Sequence, residues 1–348
     1  MNIEKTPVKK KRSISYKNDF PYKHPRVSIG EEVEPDVNVY TIESPLVCIG
    51  IKKAFYCTET GRFYDEISSK PAVSELKNKK NNVKEIKGHI LDLVSPGANL
   101  YSHWLLDLLP KLSAVKQAGY NLEDFDYVYV NYYNSKFKEE TFEKLGIPVE
   151  KVLDFPSAPK IFKCSKITTV SACRNALYTP QWAEEFVRSI FLETNIYNQV
   201  KKNRRIYISR SKGETRRVLN EASLVRKISP LGFEVLYCED HSVTKVAEIM
   251  SEAEIVIAPH GAGLANIVFC NSRVKIVELF SAHMSPEYYK ISKKNGFDYL
   301  CIQALSPDGE YVDFSTINYE HDRPVLHPMN LLLSEENMEK IVSFVSEE

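Results

Sequence analysis

The sequence predicts an α/β fold built largely from parallel sheets, and two observations predict it. Short apolar runs rich in β-branched residues alternate with longer segments whose apolar residues recur at helical spacing, which is typical of β-α-β units. This alternation occurs once in each half of the chain. Because 348 residues exceed the usual size of one hydrophobic core, we predict two α/β domains.

The first half opens with short strands and then changes to the parallel pattern. Residues 38–70 are rich in β-branched and aromatic side chains and are interrupted by Pro45 and Gly61, which is typical of short strands and a hairpin. The strands predicted after them are 88–94, 126–131 and 166–171, and the predicted helices are 102–119, 135–146 and 180–194.

The second half repeats the alternation more regularly. Its predicted strands are 204–209, 233–238, 254–258 and 274–280, and its predicted helices begin at Asn220, Ser242 and Leu264. Right-handed crossovers bring the carboxyl ends of all these strands to one edge of the sheet. Doubly wound folds bind their ligands at that edge.

The domain boundaries follow from these elements. We assign 31–180 to an N-terminal domain, 181–305 to a C-terminal domain, and 306–348 to a segment with a helix that packs back on the N-terminal domain. Residues 1–30 carry eight lysines and arginines and few apolar residues, a composition typical of disorder. Such a tail is either a solvated arm or a weak peripheral contact with an anionic membrane surface.

Composition excludes several classes of protein. A hydrophobic fraction of 43% and a charged fraction of 26% are ordinary for a soluble enzyme, and no run of about eighteen apolar residues could span a bilayer. The formal net charge of zero predicts no nucleic-acid partner. The basic N-terminus lacks the apolar core of a secretory signal. Seven cysteines without a CxxC pair indicate reduced thiols in the cytoplasm and no structural metal.

A glycine-containing turn follows the third strand of the second half, at residues 259–263. The end of the helix predicted from Leu264 would present unpaired N–H groups and a partial positive charge, which suit phosphate. Gly261 and Gly263 would let the main chain approach the anion or adopt positive φ, and His260 can add a hydrogen bond. Alternatively, the glycines only close a tight turn.

A cation-rich loop, SRSKGETRR, follows the first strand of the same half and should lie at the same edge. Its candidate ligands are Ser209, Arg210, Lys212, Arg216 and Arg217. Arginine binds phosphate bidentately, although such a loop also fits a solvated surface. Glu278 ends the next strand, where a carboxylate commonly receives ribose hydroxyls; otherwise it is a strand-end charge facing water. Together these residues predict a nucleotide diphosphate site.

The same elements occur in nicotinamide-dependent oxidoreductases, which are the first alternative. Against them, the dinucleotide fingerprint requires a third glycine where Asn266 stands. The helix over residues 264–270 is also short for that fold. A second alternative is a sensor of sugar nucleotides that binds them without catalysis.

The helix NLYSHWLLDLLPKL carries a second candidate site. His103, Asp107 and Lys111 lie one turn apart, and a His–Asp pair at i and i+4 can act as a base and its orienting group. The pair could equally cap a surface helix. The predicted buried stripe consists of Leu105, Leu108, Leu112 and Val115. Pro110 removes one backbone hydrogen bond and should bend the helix.

With these residues identified, the chain resembles glycosyltransferase family 61 from about residue 88 to 305. NLYSHWLLDLLPKL is similar to the family's Asn-x-x-x-His-x-x-x-Asp/Glu pattern. The second similar block comprises YISRSKGETRRVLNE, APHGAGLANIVF and VELF, in that order. The resemblance implies the GT-B architecture, in which two Rossmann-like domains face each other across a cleft. It also implies an inverting mechanism with no essential metal and no other cofactor.

The resemblance also implies roles for individual residues. Asp107 corresponds to the general base, with His103 close by, and Arg210 and Arg217 correspond to phosphate ligands. The donor loop corresponds to His260, Gly261, Ala262, Gly263 and Leu264, followed by Asn266, and Glu278 resembles the ribose acceptor. An ordinary aspartate, with a pKa of about 3.9, is a weak base. We therefore expect Asp107 to be partly buried, with its pKa raised by burial.

The implied activity is transfer of a sugar from a nucleotide-sugar donor to a glycan or lipid-linked glycan acceptor. The resemblance favours a bacterial enzyme of capsule or lipopolysaccharide synthesis, cytoplasmic and peripheral at the inner membrane face. Asp124 and Asp126 match the aspartate pair with which many sugar transferases hold a metal. They precede the YVYV run of a predicted strand rather than follow it, which is the wrong end of a parallel sheet for a ligand, so we predict no metal there.

Overall fold

The computed structural model describes two compact α/β units. The described residues are 3–15, 20, 31–49, 54–57, 83–131, 133–154, 156–159, 161–175, 177–193, 197, 201–314 and 319–347. Among them, the N-terminal unit lies within Met1–Ser13, Val33–Asn175 and Thr179–Ile190. The C-terminal unit lies within Ile14–Glu32, Ala176–Tyr178 and Phe191–Glu348.

The N-terminal unit contains an eight-stranded mixed sheet of order β1-β4-β10-β7-β8-β9, with β5 paired to β10 and to β6. The parallel part comprises β10, β7, β8 and β9, and the remaining pairs are antiparallel. Its strands are β1 (Ile3–Lys9), β4 (Val37–Glu43), β5 (Leu46–Ile49), β6 (Ala54–Cys57), β7 (Lys84–Asp92), β8 (Tyr127–Val130), β9 (Val152–Asp154) and β10 (Ile161–Val170). A separate two-stranded sheet joins β2 (Arg12–Ser15) to β3 (Glu31–Glu34).

The strands and the hairpin predicted for this half are confirmed, except that residues 50–53 and 58–70 lie outside the described part of the chain. The helices are α1 (Tyr101–His103), a π-helical turn (Trp104–Leu108), α2 (Leu109–Gln117), α3 (Lys136–Lys144) and α4 (Gln181–Phe191). Short 3₁₀ turns occupy Leu122–Asp124 and Val149–Lys151.

The predicted helix 102–119 is present, but it widens into the π-helical turn directly before Pro110. Proline has no N–H and crowds the preceding turn, and a π turn is one way for a helix to relieve that conflict. The predicted apolar stripe is buried, with Leu105 and Leu108 completely inaccessible. Lys111 does not lie on a polar face as predicted; it is buried and its Nζ donates to the Val94 carbonyl at 2.7 Å.

The C-terminal unit contains a five-stranded, fully parallel sheet of order β12-β11-β13-β14-β15. Its strands are β11 (Arg204–Ile208), β12 (Phe233–Leu236), β13 (Ala253–Pro259), β14 (Lys275–Phe280) and β15 (Asp298–Gln303). Its helices are α5 (Glu221–Ile228), α6 (Val243–Ser251), α7 (Glu287–Asn295), α8 (Tyr319–Leu326) and α9 (Glu335–Ser346), with 3₁₀ segments at Ser229–Leu231, Cys238–Asp240 and Ala262–Phe269.

The strand order reverses between β11 and β13, because the chain passes to one side of β11 for β12 and to the other for β13. In doubly wound sheets the crevice at this switch point is where ligands bind. The loop after β11 and the glycine turn after β13 both emerge there. The four strands predicted in this half are confirmed, whereas β15 was not predicted, and the segment at Ala262–Phe269 is a 3₁₀ helix rather than an α-helix.

Two predictions about the ends of the chain were wrong. Residues expected to be a disordered tail form β1, which pairs antiparallel with β4. The lysines of this strand lie over aromatic rings, Lys5 over Tyr40 and Lys9 over Trp182, each at 5.5 Å from the ring centroid. Residues 16–19 and 21–30 of the tail lie outside the described part. At the other end, the segment predicted to pack on the N-terminal domain forms α9, which packs in the core of the C-terminal unit through Ile341.

Within the described residues, no helix has the length and apolar character needed to cross a membrane.

Candidate functional site

The first cluster, in the N-terminal unit, joins His103 and Asp107 of one helix to Arg174. His103 Nδ1 lies 2.6 Å from Asp107 Oδ2, and Arg174 Nη2 donates to the same oxygen at 2.8 Å. Arg174 Nε donates to Asp107 Oδ1, so the guanidinium binds the carboxylate bidentately. The Arg174 side chain is only 6% exposed, whereas the His103 side chain is 33% exposed. The Asp107 side chain, at 20% exposed, is therefore partly buried, and the imidazole of His103 is the more accessible group.

The electrostatics of Asp107 differ from the prediction. Burial alone would raise its pKa, but the Arg174 guanidinium and the hydrogen bonds from His103 and Arg174 outweigh burial and hold the pKa of Asp107 below its usual value. The expectation of a raised pKa is wrong, although the side chain is partly buried as predicted. A carboxylate stabilised in this way is a poor proton acceptor and a good orienting group for His103.

The position of His103 also depends on Gly97. This residue has a φ of +79°, and a Cβ there would lie 2.7 Å from His103 Cδ2. Any other residue would be strained in that conformation and would push the imidazole away. The hydrogen bonds of His103 within the described residues all involve Nδ1, which leaves Nε2 to interact with a substrate.

Below this cluster lies a buried polar group that sequence reasoning missed. Asp92 accepts hydrogen bonds from the Tyr56 hydroxyl, from Thr169 and from the Val94 amide. Burial raises the pKa of Asp92, and burial lowers the pKa of Lys111 despite the attraction of Asp92. Lys111 lies on α2, which continues the helix of His103 and Asp107, and its Nζ donates to the Val94 carbonyl at 2.7 Å, so this bond joins the helix to the segment just after β7.

The second cluster lies in the C-terminal unit, where the loop after β11 meets the turn after β13. Arg210 reaches back over its own loop, and its Nε and Nη2 donate to the Thr215 carbonyl at 3.4 and 3.3 Å. Its guanidinium fills the space where residue 261 would carry a Cβ, which would lie 2.8 Å from Arg210 Cζ. Gly261 is required because the arginine takes this space, and its φ of 162° is ordinary extended backbone.

Arg216 is the partner of Arg210 in this cluster. It has a φ of +56°, uncommon for a residue other than glycine, and its Nε is buried with no hydrogen-bond partner among the described residues. Burial and the nearby Arg210 lower the pKa of Arg216 to about 10. Within the described chain neither arginine forms an ion pair with a carboxylate. We call Arg210 and Arg216 the arginine pair.

Three of the predicted ligands have other roles. Arg217 is exposed, and its main chain bonds to Asn330 and Leu331. Lys212 is exposed, forms an ion pair with Asp240 and lies 4.7 Å from the ring centroid of Tyr237. Ser209 is buried and donates to Glu221, the first residue of α5, at 2.7 Å. Ser209, Lys212 and the main chain of Arg217 thus have partners within the C-terminal unit.

The turn residues are placed by packing and by the amide side chain of Asn266. Ala262 and Gly263 are partly exposed at the start of the 3₁₀ segment, whose first turn is closed by the Leu264 amide and the Gly261 carbonyl at 3.0 Å. Leu264 and Asn266 are fully buried, and Asn266 Nδ2 bonds to the Gly263 carbonyl. Asn266 therefore shapes the turn from inside.

His260 and Glu278 form a buried pair, with His260 Nδ1 2.5 Å from Glu278 Oε1. The other oxygen of Glu278 accepts a hydrogen bond from the Tyr299 hydroxyl at 2.6 Å. Glu278 is wholly inaccessible, so the predicted contact with ribose hydroxyls does not fit this arrangement. Burial raises the pKa of Glu278 well above its usual value and lowers that of His260 well below it.

The aspartates of the DFD segment accept hydrogen bonds from backbone amides. Asp124 accepts from the Asn121 amide and Asp126 accepts from the His89 amide, each at 2.7 Å. Across the residues for which positions are given, no group of three or more His, Cys, Asp or Glu side chains is arranged to hold a metal ion.

Sequence reasoning also missed Arg174 and Tyr299. Arg174 follows the carboxyl end of β10, which is parallel to β7, so the shared-edge rule could have brought it close to residues that follow β7. Tyr299 lies on β15, a strand that the sequence pattern does not predict. Arg216 was identified, but Arg217 was preferred as the phosphate ligand, and only side-chain direction separates the two.

Comparison with known proteins gives the class of this protein, which is a glycosyltransferase. The profile of the family described as Glycosyltransferase 61 matches residues 101–277, slightly more than half of the chain, and the chain belongs to this family. The matched range includes both the His–Asp pair and the arginine pair. Glu278 and Tyr299 lie beyond its end.

Relatives in mammals are similar over a short segment. The proteins named Protein O-linked-mannose beta-1,4-N-acetylglucosaminyltransferase 2 from Mus musculus and Homo sapiens are each 29% identical to the chain over 82 residues. The similar segment covers 23% of this chain and 14% of each relative. The chain thus matches about a seventh of the length of these relatives.

Proposed function

We propose that this glycosyltransferase moves a sugar from a nucleotide-sugar donor to a hydroxyl of a glycan acceptor, with inversion at the anomeric carbon. The observation that carries the proposal is the arginine pair. Both guanidinium groups are partly buried: burial lowers the pKa of Arg210, and burial together with the like charge of Arg210 lowers the pKa of Arg216, so holding the two charges close together is costly. A diphosphate would relieve the repulsion and provide acceptors for Arg216 Nε.

The arginine pair supports a leaving-group role. When the bond between the sugar and the diphosphate breaks, negative charge grows on the departing oxygen, and guanidinium groups already in place stabilise that charge. The N–H groups at the start of Ala262–Phe269 add to this because they lack partners within the helix. Because the arginines supply the positive charge, we assign no step to a metal or cofactor.

The His–Asp pair supports the role of a general base. We assign proton removal to His103 Nε2, with Asp107 accepting the Nδ1–H bond and stabilising the imidazolium that forms. The sequence resemblance assigns the base to Asp107 itself. Arg174 donates two hydrogen bonds to that carboxylate, which makes it a weaker base and favours His103 as the general base.

A single displacement with one base and one charged leaving group inverts the anomeric centre. No side chain in the proposal acts as a nucleophile toward the sugar, so no covalent intermediate is expected. From the family resemblance we further propose the GT-B arrangement, with the donor bound by the C-terminal unit and the acceptor by the N-terminal unit.

The acceptor and the cellular setting rest on the resemblance alone. We propose a glycan or lipid-linked glycan of a bacterial surface polysaccharide such as capsule or lipopolysaccharide, built on the cytoplasmic face of the inner membrane. The curated relatives carry an O-linked-mannose acceptor in their names, which favours a sugar hydroxyl as the acceptor group here too.

Neighbouring arginines allow a matched test. Arg216→Gln removes the partly buried guanidinium of the pair, whereas Arg217→Gln removes an exposed guanidinium from the next residue. Isothermal titration with UDP, GDP and ADP should show tight binding of one of them to the wild type. We expect that binding to fall by roughly 30-fold or more, about 2 kcal/mol, in Arg216→Gln and to persist in Arg217→Gln. A larger loss of affinity in Arg217→Gln than in Arg216→Gln would show that the phosphates do not bind at the arginine pair.

Transfer itself is tested by mass spectrometry. The wild type is incubated with a panel of nucleotide sugars and with oligosaccharide acceptors of surface polysaccharides, and the product mass identifies the donor. NMR of the product against the donor then gives the anomeric configuration. Retention of configuration would contradict the single displacement.

A further inference from the structure

Three polar side chains of the C-terminal unit lie on a diagonal line across the neighbouring strands β13, β14 and β15. Ala258 of β13 pairs with Glu278 of β14, and His260 follows Ala258 by two residues on the same face. Cys301 of β15 pairs with Glu278, and Tyr299 precedes it by two residues on that face. The line runs from Tyr299 through Glu278 to His260, toward the carboxyl edge of the sheet.

The contacts along this line leave Glu278 no freedom. Oε2 accepts from the Tyr299 hydroxyl at 2.6 Å, and Oε1 meets His260 Nδ1 at 2.5 Å. The His260 ring stacks on Phe280 at a centroid distance of 5.1 Å and 19°, and the His260 amide donates to the Leu279 carbonyl at 2.8 Å. Both the position and the plane of the imidazole are therefore fixed before any ligand arrives.

We infer that Tyr299 and Glu278 are positioning residues that hold His260 as a neutral donor, with its proton on Nε2, beside the arginine pair. The Tyr299 hydroxyl donates to one oxygen of a protonated Glu278, and the proton on the other oxygen is donated to His260 Nδ1. Because Nδ1 accepts that bond, the imidazole carries its own proton on Nε2. This inference rests on the proposed function only for what Nε2–H would meet, a phosphate oxygen of the donor.

The surroundings favour the neutral pair over an ion pair. Burial is the largest influence on both groups, and it disfavours an ionised Glu278 and an imidazolium alike. Arg216, Arg210 and His327 also disfavour charge on His260, whereas Glu287 favours it. The Tyr299 hydrogen bond and Arg216 favour an ionised Glu278, but burial outweighs them and raises its pKa. A second cation beside the arginine pair would add repulsion, whereas a neutral N–H adds a hydrogen bond without it.

The first test reads the proton position in the ligand-free protein. Long-range ¹H–¹⁵N spectra of protein labelled at histidine distinguish protonated from unprotonated ring nitrogens, and His260→Asn assigns the signal. We expect an unprotonated Nδ1 and a protonated Nε2 for His260 at neutral pH. Protonation at Nδ1, or at both nitrogens, would overturn the inference whether or not the protein binds a nucleotide.

The second test uses two substitutions at Glu278 that differ in one respect. Glu278→Gln retains the pattern, because its carbonyl accepts from Tyr299 while its NH₂ donates to Nδ1. Glu278→Leu has similar volume and no polar atoms. We expect Glu278→Gln to keep the tautomer and the affinity for the nucleoside diphosphate that the wild type binds, and Glu278→Leu to lose both. If Gln fails as badly as Leu, Glu278 acts as a carboxylate and the inference is wrong.

The third test separates positioning from stability. Tyr299→Phe removes one hydroxyl that donates to a glutamate, and Tyr207→Phe removes an equivalent hydroxyl, which donates to Glu221 at 2.8 Å in the same unit. Both variants should lose similar thermal stability. Only Tyr299→Phe should weaken binding of the nucleoside diphosphate. We expect a loss of roughly 3- to 10-fold, which corresponds to the net contribution of one neutral hydrogen bond. Equal affinities in the two variants would reduce Tyr299 to a structural residue.

The outcomes distinguish this inference from the proposed function. If wild-type protein binds none of UDP, GDP and ADP, the proposed donor site fails, and the tautomer of His260 in the wild type and in the Glu278 variants still decides the inference. If the protein binds one of these nucleotides but His260 carries its proton on Nδ1, the proposed donor site is supported and the positioning role of Tyr299 and Glu278 is wrong.

Discussion

The guanidinium of Arg210 occupies the volume that a side chain at Gly261 would need, with Arg210 Cζ 2.8 Å from the position of an added Cβ. A residue on the loop after β11 and a residue on the turn after β13 are thus fitted to each other across the switch point of the sheet. Glycine at position 261 leaves room for the Arg210 guanidinium. Arg210 has no carboxylate partner among the described residues.

Gly261→Ala should therefore act through Arg210. The added methyl meets the far end of a flexible side chain, so the protein should fold normally while the guanidinium is displaced. We expect nucleoside diphosphate affinity to fall by roughly 10-fold or more, about 1.4 kcal/mol, measured by titration calorimetry. In a double-mutant cycle with Arg210→Ala the two losses should not add. Additive losses would mean that the turn and the arginine act independently.

The division of roles between His103 and Asp107 predicts how turnover responds to substitution. His103→Gln removes the base and should lower kcat by roughly 100-fold or more with donor affinity unchanged. Asp107→Asn should lower kcat as well, since it disturbs the tautomer and releases Arg174. The exposed His241 gives a control, and His241→Gln should behave as wild type. Asp107 would be the base after all if Asp107→Asn were inactive and His103→Gln nearly fully active.

The lowered pKa of Asp107 predicts a pH dependence of stability. A carboxyl whose pKa is lower in the folded than in the unfolded chain stabilises the fold above the unfolded pKa of about 3.9. That contribution disappears as the pH falls through the folded value. Urea unfolding of wild type and Asp107→Asn should therefore show a larger difference in free energy at pH 7 than at the lowest pH where both still fold. A difference that grows on acidification would contradict the direction of the shift.

The buried Lys111 predicts a cost in stability. Lys111→Met fills similar volume, but it leaves the Val94 carbonyl without its donor and Asp92 without a nearby cation. We expect a loss of about 1–3 kcal/mol in the free energy of unfolding. Lys116→Met, at an exposed position of the same helix, is the matched control and should change stability little. Equal effects of the two substitutions would show that the buried ammonium contributes nothing specific.

Much of the fold can be predicted from the sequence, because the strands and helices depend on local patterns of apolar and capping residues. The strands of the C-terminal sheet are short apolar runs, and α6 begins at a Ser242 side chain that accepts from the Lys245 amide. β15 and α7 were missed because their residues mix aromatic, charged and apolar types without a clear period. The tail was misread because its lysines, polar in composition, are stabilised by pairing of β1 with β4 and by aromatic rings that are distant in sequence.

The sequence by itself determined the family, the two α/β halves, and the segments from which the candidate site is made, since residue type and spacing carry that information. It could not determine which side chains of those segments face each other. Arg216 rather than Arg217 joins Arg210, Arg174 holds Asp107, and Glu278 is enclosed between His260 and Tyr299. Only the tertiary structure decided these pairings, because burial and charge act through distances between residues far apart in the chain, and those distances set the protonation states on which the chemistry depends.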